Sequence, residues 1–258
     1  MKLRIKFTKH GAVRYIGHLD LQRYFQRVNR RAGIKAVYSE GFSPHQKMSF
    51  AMPLSVGYES DAEYFDLEVT EAESSKVVID MLNKEQTEGI EVISCVMLPD
   101  KCENAMASVR AAGYTIRFRE GHKPSFDIGS AVETVMESDS FIIRKPVKRK
   151  GKRGQRAAKA LHDTKRVQQD GDSEADYKEV DIRQYIHELY ADNDGALHLL
   201  ASAGSENNIR PDTVMGAIFE REVISLSPYA LRVTRNELYT CSGKNGELIP
   251  LSEAGRIF

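Results

Sequence analysis

Leu3, Ile5 and Phe7 alternate with Lys2, Arg4 and Lys6 at the head of the chain, and this period of two predicts a strand with one buried face over Lys2 to Thr8. Lys9, His10 and Gly11 read as a turn, and Val13 to Ile16 as a re-entry into the sheet. The period then lengthens. Leu21, Tyr24, Phe25, Val28 and Ala32 recur at helical spacing behind Gly17 and His18, with Gly33 as the stop and Asp20 in the first turn, where the helix dipole favours an anion. The other side of this helix carries Arg23, Arg27, Arg30 and Arg31, a basic stripe that is either a solvated face or a surface for a polyanion.

Further along, Val37 and Tyr38 suggest a short strand, and Phe65, Leu67 and Val69 alternate with polar neighbours in a strand over Glu63 to Val69. Val77, Val78, Met81 and Leu82 mark a helix face, and Ile90 to Leu98 a further strand. The order strand, helix, strand, strand, helix, strand is that of a ferredoxin-like, split βαβ domain over residues 1–100. Residues 101–258 repeat it. Arg110 to Arg119 reads as a strand, Ile128 to Met136 as a helix and Phe141 to Val147 as a strand. Glu179 to Tyr190 suits either type, Ala196 to Ala201 a strand, Pro211 to Phe219 a helix started by proline, and Tyr229 to Val233 a last strand. The fold class expected is α+β, two tandem ferredoxin-like domains, the second interrupted by an insertion over 144–178.

Between these elements, Gly41 to Ser60 is too apolar for an idle loop and too broken for a helix. Gly41 and Pro44 set a turn. Ser43, His45, Gln46 and Lys47 are expected to face outward from it, while Phe50, Met52 and Leu54 alternate as a buried strand would.

Charge changes the picture of the insertion. The chain is formally neutral, yet Arg144 to Arg166 holds eleven basic residues against Asp163 alone, a net of +10 that leaves −10 for the remainder. So apolar-poor a block is expected to be mobile and to seek a polyanion, RNA first, through Lys148, Arg149, Lys150, Lys152, Arg153 and Arg156. The bland alternative is a solvated linker balanced by Asp170, Asp172, Glu174 and Asp176. Three cysteines, Cys95, Cys102 and Cys241, have no paired spacing and fit reduced thiols, with Cys95 a small buried hydrophobe. Neither a secretion signal nor a long apolar run is present, so a cytoplasmic protein without membrane contact is expected.

The residues Phe7-Thr8-Lys9, Tyr15-Ile16-Gly17-His18-Leu19-Asp20-Leu21, Arg31-Ala32-Gly33, Tyr38-Ser39-Glu40-Gly41-Phe42-Ser43-Pro44-His45 and Met48-Ser49-Phe50 resemble the bacterial family of radical SAM-linked proteins of unknown function. The resemblance implies a protein encoded beside a radical SAM protein or fused to its C-terminus, often near genes for a ribonuclease and a ribosomal protein, and hence a setting of RNA. The chain opens on the domain itself and lacks a Cys-x-x-x-Cys-x-x-Cys run. It therefore reads as the unfused form, with S-adenosylmethionine and the iron–sulfur cluster expected only in the partner. A weaker resemblance, of fold alone, is to the ferredoxin-like RNA-processing endoribonucleases of CRISPR systems; their glycine-rich C-terminal loop has no good counterpart in Gly243-Lys244-Asn245-Gly246.

The leading expectation is thus a non-catalytic RNA-binding accessory protein that presents a structured RNA, tRNA or ribosomal, to a separate radical SAM enzyme. The contacts would come from Arg23, Arg27, Arg30 and Arg31, from Ser43, His45 and Lys47, and from the basic insertion. The rivals are a metal-independent endoribonuclease using His18 or His45 with Lys47 around a 2′-hydroxyl, and a scaffold that binds protein only. His18 otherwise packs or caps its helix, and His45 otherwise is held within its turn. His18, His45 and Asp20 share no ligand spacing, so no metal is expected.

Overall fold

A computed structural model of the chain describes residues 1–146, 177–205, 207–242 and 246–258. The alternating head forms strand β1 (Lys2–Lys9), followed by helix α1 (His18–Arg31), a short β2 (Met48–Phe50), β3 (Glu59–Glu68), α2 (Ser75–Asn83) and β4 (Ile90–Met97). Ser74 starts α2 by accepting the Val77 N–H on its hydroxyl. After a single-turn α3 (Ala105–Ser108) come β5 (Ala111–Phe118) and α4 (Ile128–Glu137), which Asp127 caps through the Gly129 N–H. The remaining elements are β6 (Ile142–Pro146), β7 (Tyr177–Asp181), β8 (Ile186–Ala191), β9 (Leu197–Ser202), α5 (Pro211–Arg221), β10 (Leu231–Ser242) and β11 (Glu247–Pro250).

A nine-stranded sheet runs β4-β1-β3-β10-β5-β9-β8, with β2 beside β3 and β11 beside β10. The first half therefore has the order β4-β1-β3-β2 and the second the order β10-β5-β9-β8, the same path taken twice. In each, an antiparallel strand (β3, then β9) separates the two strands that a helix connects, which is the split βαβ arrangement. The halves meet where β3 and β10 run parallel for two residue pairs, Glu59 with Thr234 and Ser60 with Arg235. That short seam positions the chemistry described below.

Each half buries its own apolar faces. Leu3, Ile5 and Phe7 pack with Leu21, Phe25 and Val28 of α1 and Val78 and Leu82 of α2, around a cluster of the Phe7, Phe25, Phe50 and Phe65 rings. Ile116, Leu199 and Val233 pack with Val132, Val135, Val214 and Ile218 of α4 and α5. On the other face of the first half, the buried Arg4 grips Asp66 through Nε at 2.8 Å and Nη2 at 3.1 Å. Asp66 also accepts the Ala105 N–H at 2.7 Å, and Arg4 reaches the carbonyls of Glu103 and Leu251. One ion pair thus fixes both the link to the second half and the return of the C-terminal segment, whose Phe258 exchanges hydrogen bonds with Ser75. Cys95 is buried, and burial pushes its thiol up to about 12. Among the described residues no helix is long and apolar enough to cross a membrane.

Several expected elements differ. Val13 to Ile16 does not re-enter the sheet: Gly11–Tyr15 is a 3₁₀ turn that buries Val13. It is held by the His10 N–H on the Gly89 carbonyl, so close that a side chain at Gly89 would sit 2.4 Å from the His10 carbonyl oxygen. Val37 and Tyr38 make only isolated bridges around Ala36 and Tyr38. The strand expected over Phe141 to Val147 is present as β6, but it pairs with β7 in a separate two-stranded sheet, and β8 takes the edge of the main sheet beside β9. The strand expected to end the chain at Val233 begins at Leu231 and runs on to Ser242, and β11 follows it. The expected RNA contacts Lys148, Arg149, Lys150, Lys152, Arg153 and Arg156 lie outside the described residues.

Candidate functional site

At the seam three charged side chains extend the apolar phase of their strands into the interior. Lys9 follows Leu3, Ile5 and Phe7; Glu63 precedes Phe65 and Leu67; Arg235 follows Val233. Each is at most 3% exposed. Arg235 donates to Glu63 through Nε at 3.0 Å and through Nη2, which also reaches the Met52 carbonyl at 2.9 Å, and it lies beside the Tyr114 hydroxyl. Lys9 donates to the carbonyls of Ile16 at 2.9 Å and Arg14 at 3.4 Å. Burial lowers the Lys9 pKa, with the Glu63 charge opposing and the Arg235 charge adding to the shift. Arg235 alone pairs with the Glu63 carboxylate, while Lys9 makes no ion pair with it and only feels its charge.

Above this layer lies a cleft lined by Arg14, Arg117, Phe118, Arg119, Glu120 and Arg232, of about 470 Å³. A second hollow of about 240 Å³ continues from it along Thr115, Arg117, Arg232 and Thr234. Glu59, 5% exposed, is the buried anchor. Its Oε1 accepts from Arg14 Nη1 and the Gly11 N–H, each at 3.1 Å, and its Oε2 from Arg232 Nε at 3.1 Å and Nη2 at 2.8 Å. Burial works to raise the Glu59 pKa, but the hydrogen bonds from Arg232, Gly11 and Arg14 outweigh it and hold the carboxyl below its usual range. Arg117 and Arg232 are directly paired across β5 and β10. Like charges so placed repel, and Arg117 has no carboxylate partner among the described residues. Four guanidinium groups, from the Gly11–Tyr15 turn, β5, the residue just after β5, and β10, therefore converge on one open cleft, with the exposed acid Glu120 on its rim.

The residues expected to act fall into separate places. Arg23, Arg27, Arg30 and Arg31 are all exposed on α1; Arg31 is paired with Glu85 at 2.9 Å and Arg23 with Asp20 at 3.5 Å, which leaves Arg27 and Arg30 as the unpaired members of the stripe among the described residues. Ser43, His45 and Lys47 are exposed. His45 accepts or donates at Nδ1 to the Ser39 hydroxyl at 2.9 Å, and the same hydroxyl takes its backbone N–H, so the turn holds it. Lys47 lies 3.6 Å from Glu68. Gln46, expected outside, is buried between Asn29 at 2.9 Å and the Gln26 carbonyl at 3.1 Å, where it ties the loop to α1. Outward instead goes the fully exposed Phe42. His18 stands half-buried with its ring edge-on to Phe50 at 5.4 Å, and no hydrogen bond joins it to His45 or Lys47. His10 faces Asp61 at 3.1 Å. Among the described residues no three His, Cys, Asp or Glu side chains gather as a metal site requires.

Burial lowers the pKa of His18 below its ordinary 6.5, with Glu63 opposing and Lys9 adding to the shift. A base whose pKa is depressed by folding binds its proton less readily in the folded state. Its contribution to stability is therefore present above pH 6.5 and is lost as pH falls through the folded value. Melting temperature is expected to fall between about pH 7 and pH 5 less steeply in His18→Gln than in the parent. Equal slopes would show that His18 is not the titrating group.

The residues that line the cleft, Arg14, Arg117, Arg119 and Arg232, are not among those the sequence singles out. A family model described as an uncharacterized protein conserved in bacteria (DUF2344) matches residues 2–211, and the chain belongs to that family. No curated protein matches it.

Proposed function

We propose that this member of the DUF2344 family is an RNA-binding accessory protein, without catalysis of its own, that presents a structured RNA, tRNA or ribosomal, to a separately encoded radical SAM enzyme. The observation that carries the RNA part is the arginine cleft. Glu59 holds Arg14 and Arg232 side by side at the seam of the two halves, and Arg117 stands opposite Arg232 with its charge unmet. Arginine forks so arranged suit phosphate oxygens, and a site shared by both halves suits an extended polyanion better than a single small anion. The enzyme partner enters through the resemblance of the Tyr15 to Leu21 and Tyr38 to His45 segments to radical SAM-linked proteins. The endoribonuclease reading has less support, because His45 is engaged by Ser39 and His18 packs on Phe50.

Incubating the intact protein with total cellular RNA in chelator, then crosslinking and sequencing, tests this directly. Enrichment of particular RNAs with unchanged ends is the expected result. New ends mapping to the bound sites would replace it with the endoribonuclease, and absence of any enrichment would favour the protein-only scaffold. Recovery of a radical SAM protein with the tagged chain checks the partner separately.

A further inference from the structure

On the RNA-binding reading, the sheet itself says which form of RNA is held. Tyr190 of β8 lies opposite His198 of β9, His198 opposite Thr115 of β5, Thr115 opposite Thr234 of β10, and Thr234 opposite Glu59 of β3. These five residues make one unbroken row across five strands, and cross-strand partners point to the same face. Four strand spacings of about 4.8 Å make the row about 19 Å long. Its inner neighbours on the same strands, Ile116, Leu197, Leu199 and Val233, are buried under α4 and α5, so the row belongs to the face the helices leave open.

The row is graded. At one end the Tyr190 ring stacks on His198, centroids 5.0 Å apart and planes 19° from parallel, and Tyr190 is 50% exposed. The stack is held in place: His198 Nε2 meets Asp192 at 2.9 Å, Nδ1 lies 3.5 Å from the Thr115 hydroxyl, and that hydroxyl donates to Asn236 at 3.0 Å. Beside the middle of the row stand Arg117 and Arg232. An exposed aromatic face preset by a second ring, polar groups in line with it, and a pair of guanidinium groups alongside provide for one base face and its phosphate. A duplex keeps its base faces stacked inside and offers such a platform only its backbone.

We infer that this row is a stacking platform for an unpaired segment of the RNA, with a base on Tyr190 and the adjoining phosphates on Arg117 and Arg232. The intact chain is titrated with a labelled single-stranded oligoadenylate of about 12 nucleotides and with the same strand annealed to its complement. Tighter binding of the single strand is expected. Tyr190→Leu, which keeps a strand-compatible side chain, is expected to weaken single-strand binding about 10-fold and to leave duplex binding unchanged, while Tyr190→Phe retains the parent affinity. Retained circular dichroism and melting temperature check that Tyr190→Leu is folded. Single-strand affinity unchanged in Tyr190→Leu, or equal affinity for both probes, overturns the platform while RNA binding stands. No binding of either probe at low salt overturns the RNA reading and the platform with it.

Discussion

Glu63→Gln is expected to lower folding stability by about 3 to 5 kcal/mol, read from urea unfolding, the range found when one member of a buried ion pair is removed. The substitution keeps size and a carbonyl acceptor and changes only charge. What it strips away is the acid paired with Arg235, wholly buried, whose charge also acts on Lys9, 1% exposed. Two cations are then left in low dielectric, Lys9 on the Ile16 and Arg14 carbonyls and Arg235 on the Met52 carbonyl beside Tyr114. Lys9 is the one that can respond, because burial already depresses its pKa and the loss of the Glu63 charge removes what opposes that shift. Adding Lys9→Met to Glu63→Gln should therefore restore part of the loss, a coupling of about 1 to 3 kcal/mol between the two positions. A loss under about 1 kcal/mol for Glu63→Gln would mean that water or movement relieves the site, and the seam would not be the rigid joint that β3 and β10 suggest.

The sequence carries more of this seam than a reading by apolar period extracts. The period of two in β1 runs Leu3, Ile5, Phe7 and then Lys9; in β3 it runs Glu63, Phe65 and Leu67; in β10 it runs Val233 and then Arg235. In each strand a charge occupies the buried phase; Arg235 pairs with Glu63, and Lys9 turns to the Ile16 and Arg14 carbonyls. Ending a strand where its apolar residues end hides such a site, which is why β10 is expected to stop at Val233 although it continues to Ser242. Helices α1, α2, α4 and α5 are legible because their apolar positions recur at helical spacing, helped by a side-chain cap in α2 and α4 and by a proline start in α5. The pairing of β6 with β7 outside the main sheet is not, since a five-residue strand reads the same in either place. Nor is the cleft. Arg14, Arg117 and Arg232 are far apart in the chain, and the pairing of β3 with β10 and of β5 with β10 brings Arg232 beside Arg14 on Glu59 and sets Arg117 opposite Arg232. Gln46 shows the converse error: a polar residue in a turn-rich loop is taken as outward, while the amide of Asn29 inside α1 supplies it with a buried partner.

Salt dependence of RNA binding separates the three basic surfaces, and its largest expected change comes from the cleft and the insertion together. Each phosphate neutralised adds roughly −0.7 to −0.9 to the slope of log affinity against log salt. Arg117→Gln with Arg119→Gln removes two exposed guanidinium groups without touching the Glu59 anchor, because Arg119 donates only to the Leu231 carbonyl and Arg117 has no acid partner among the described residues. The slope should flatten by about 1.4 to 1.8, so that the affinity lost between about 50 and 200 mM salt is roughly 7- to 12-fold smaller than in the parent. Deleting Lys148 to Lys165 should flatten it by several units in the same assay if the block of positive charge also meets phosphate, equally for different RNA sequences, since phosphate contacts position without specifying. Arg27→Gln with Arg30→Gln is the matched control on α1, where both side chains are exposed. A slope that flattens in this control and stays unchanged in the cleft variant moves the RNA onto the helix face. A change in the cleft variant alone places the phosphates at the seam, beside the row that ends on Tyr190.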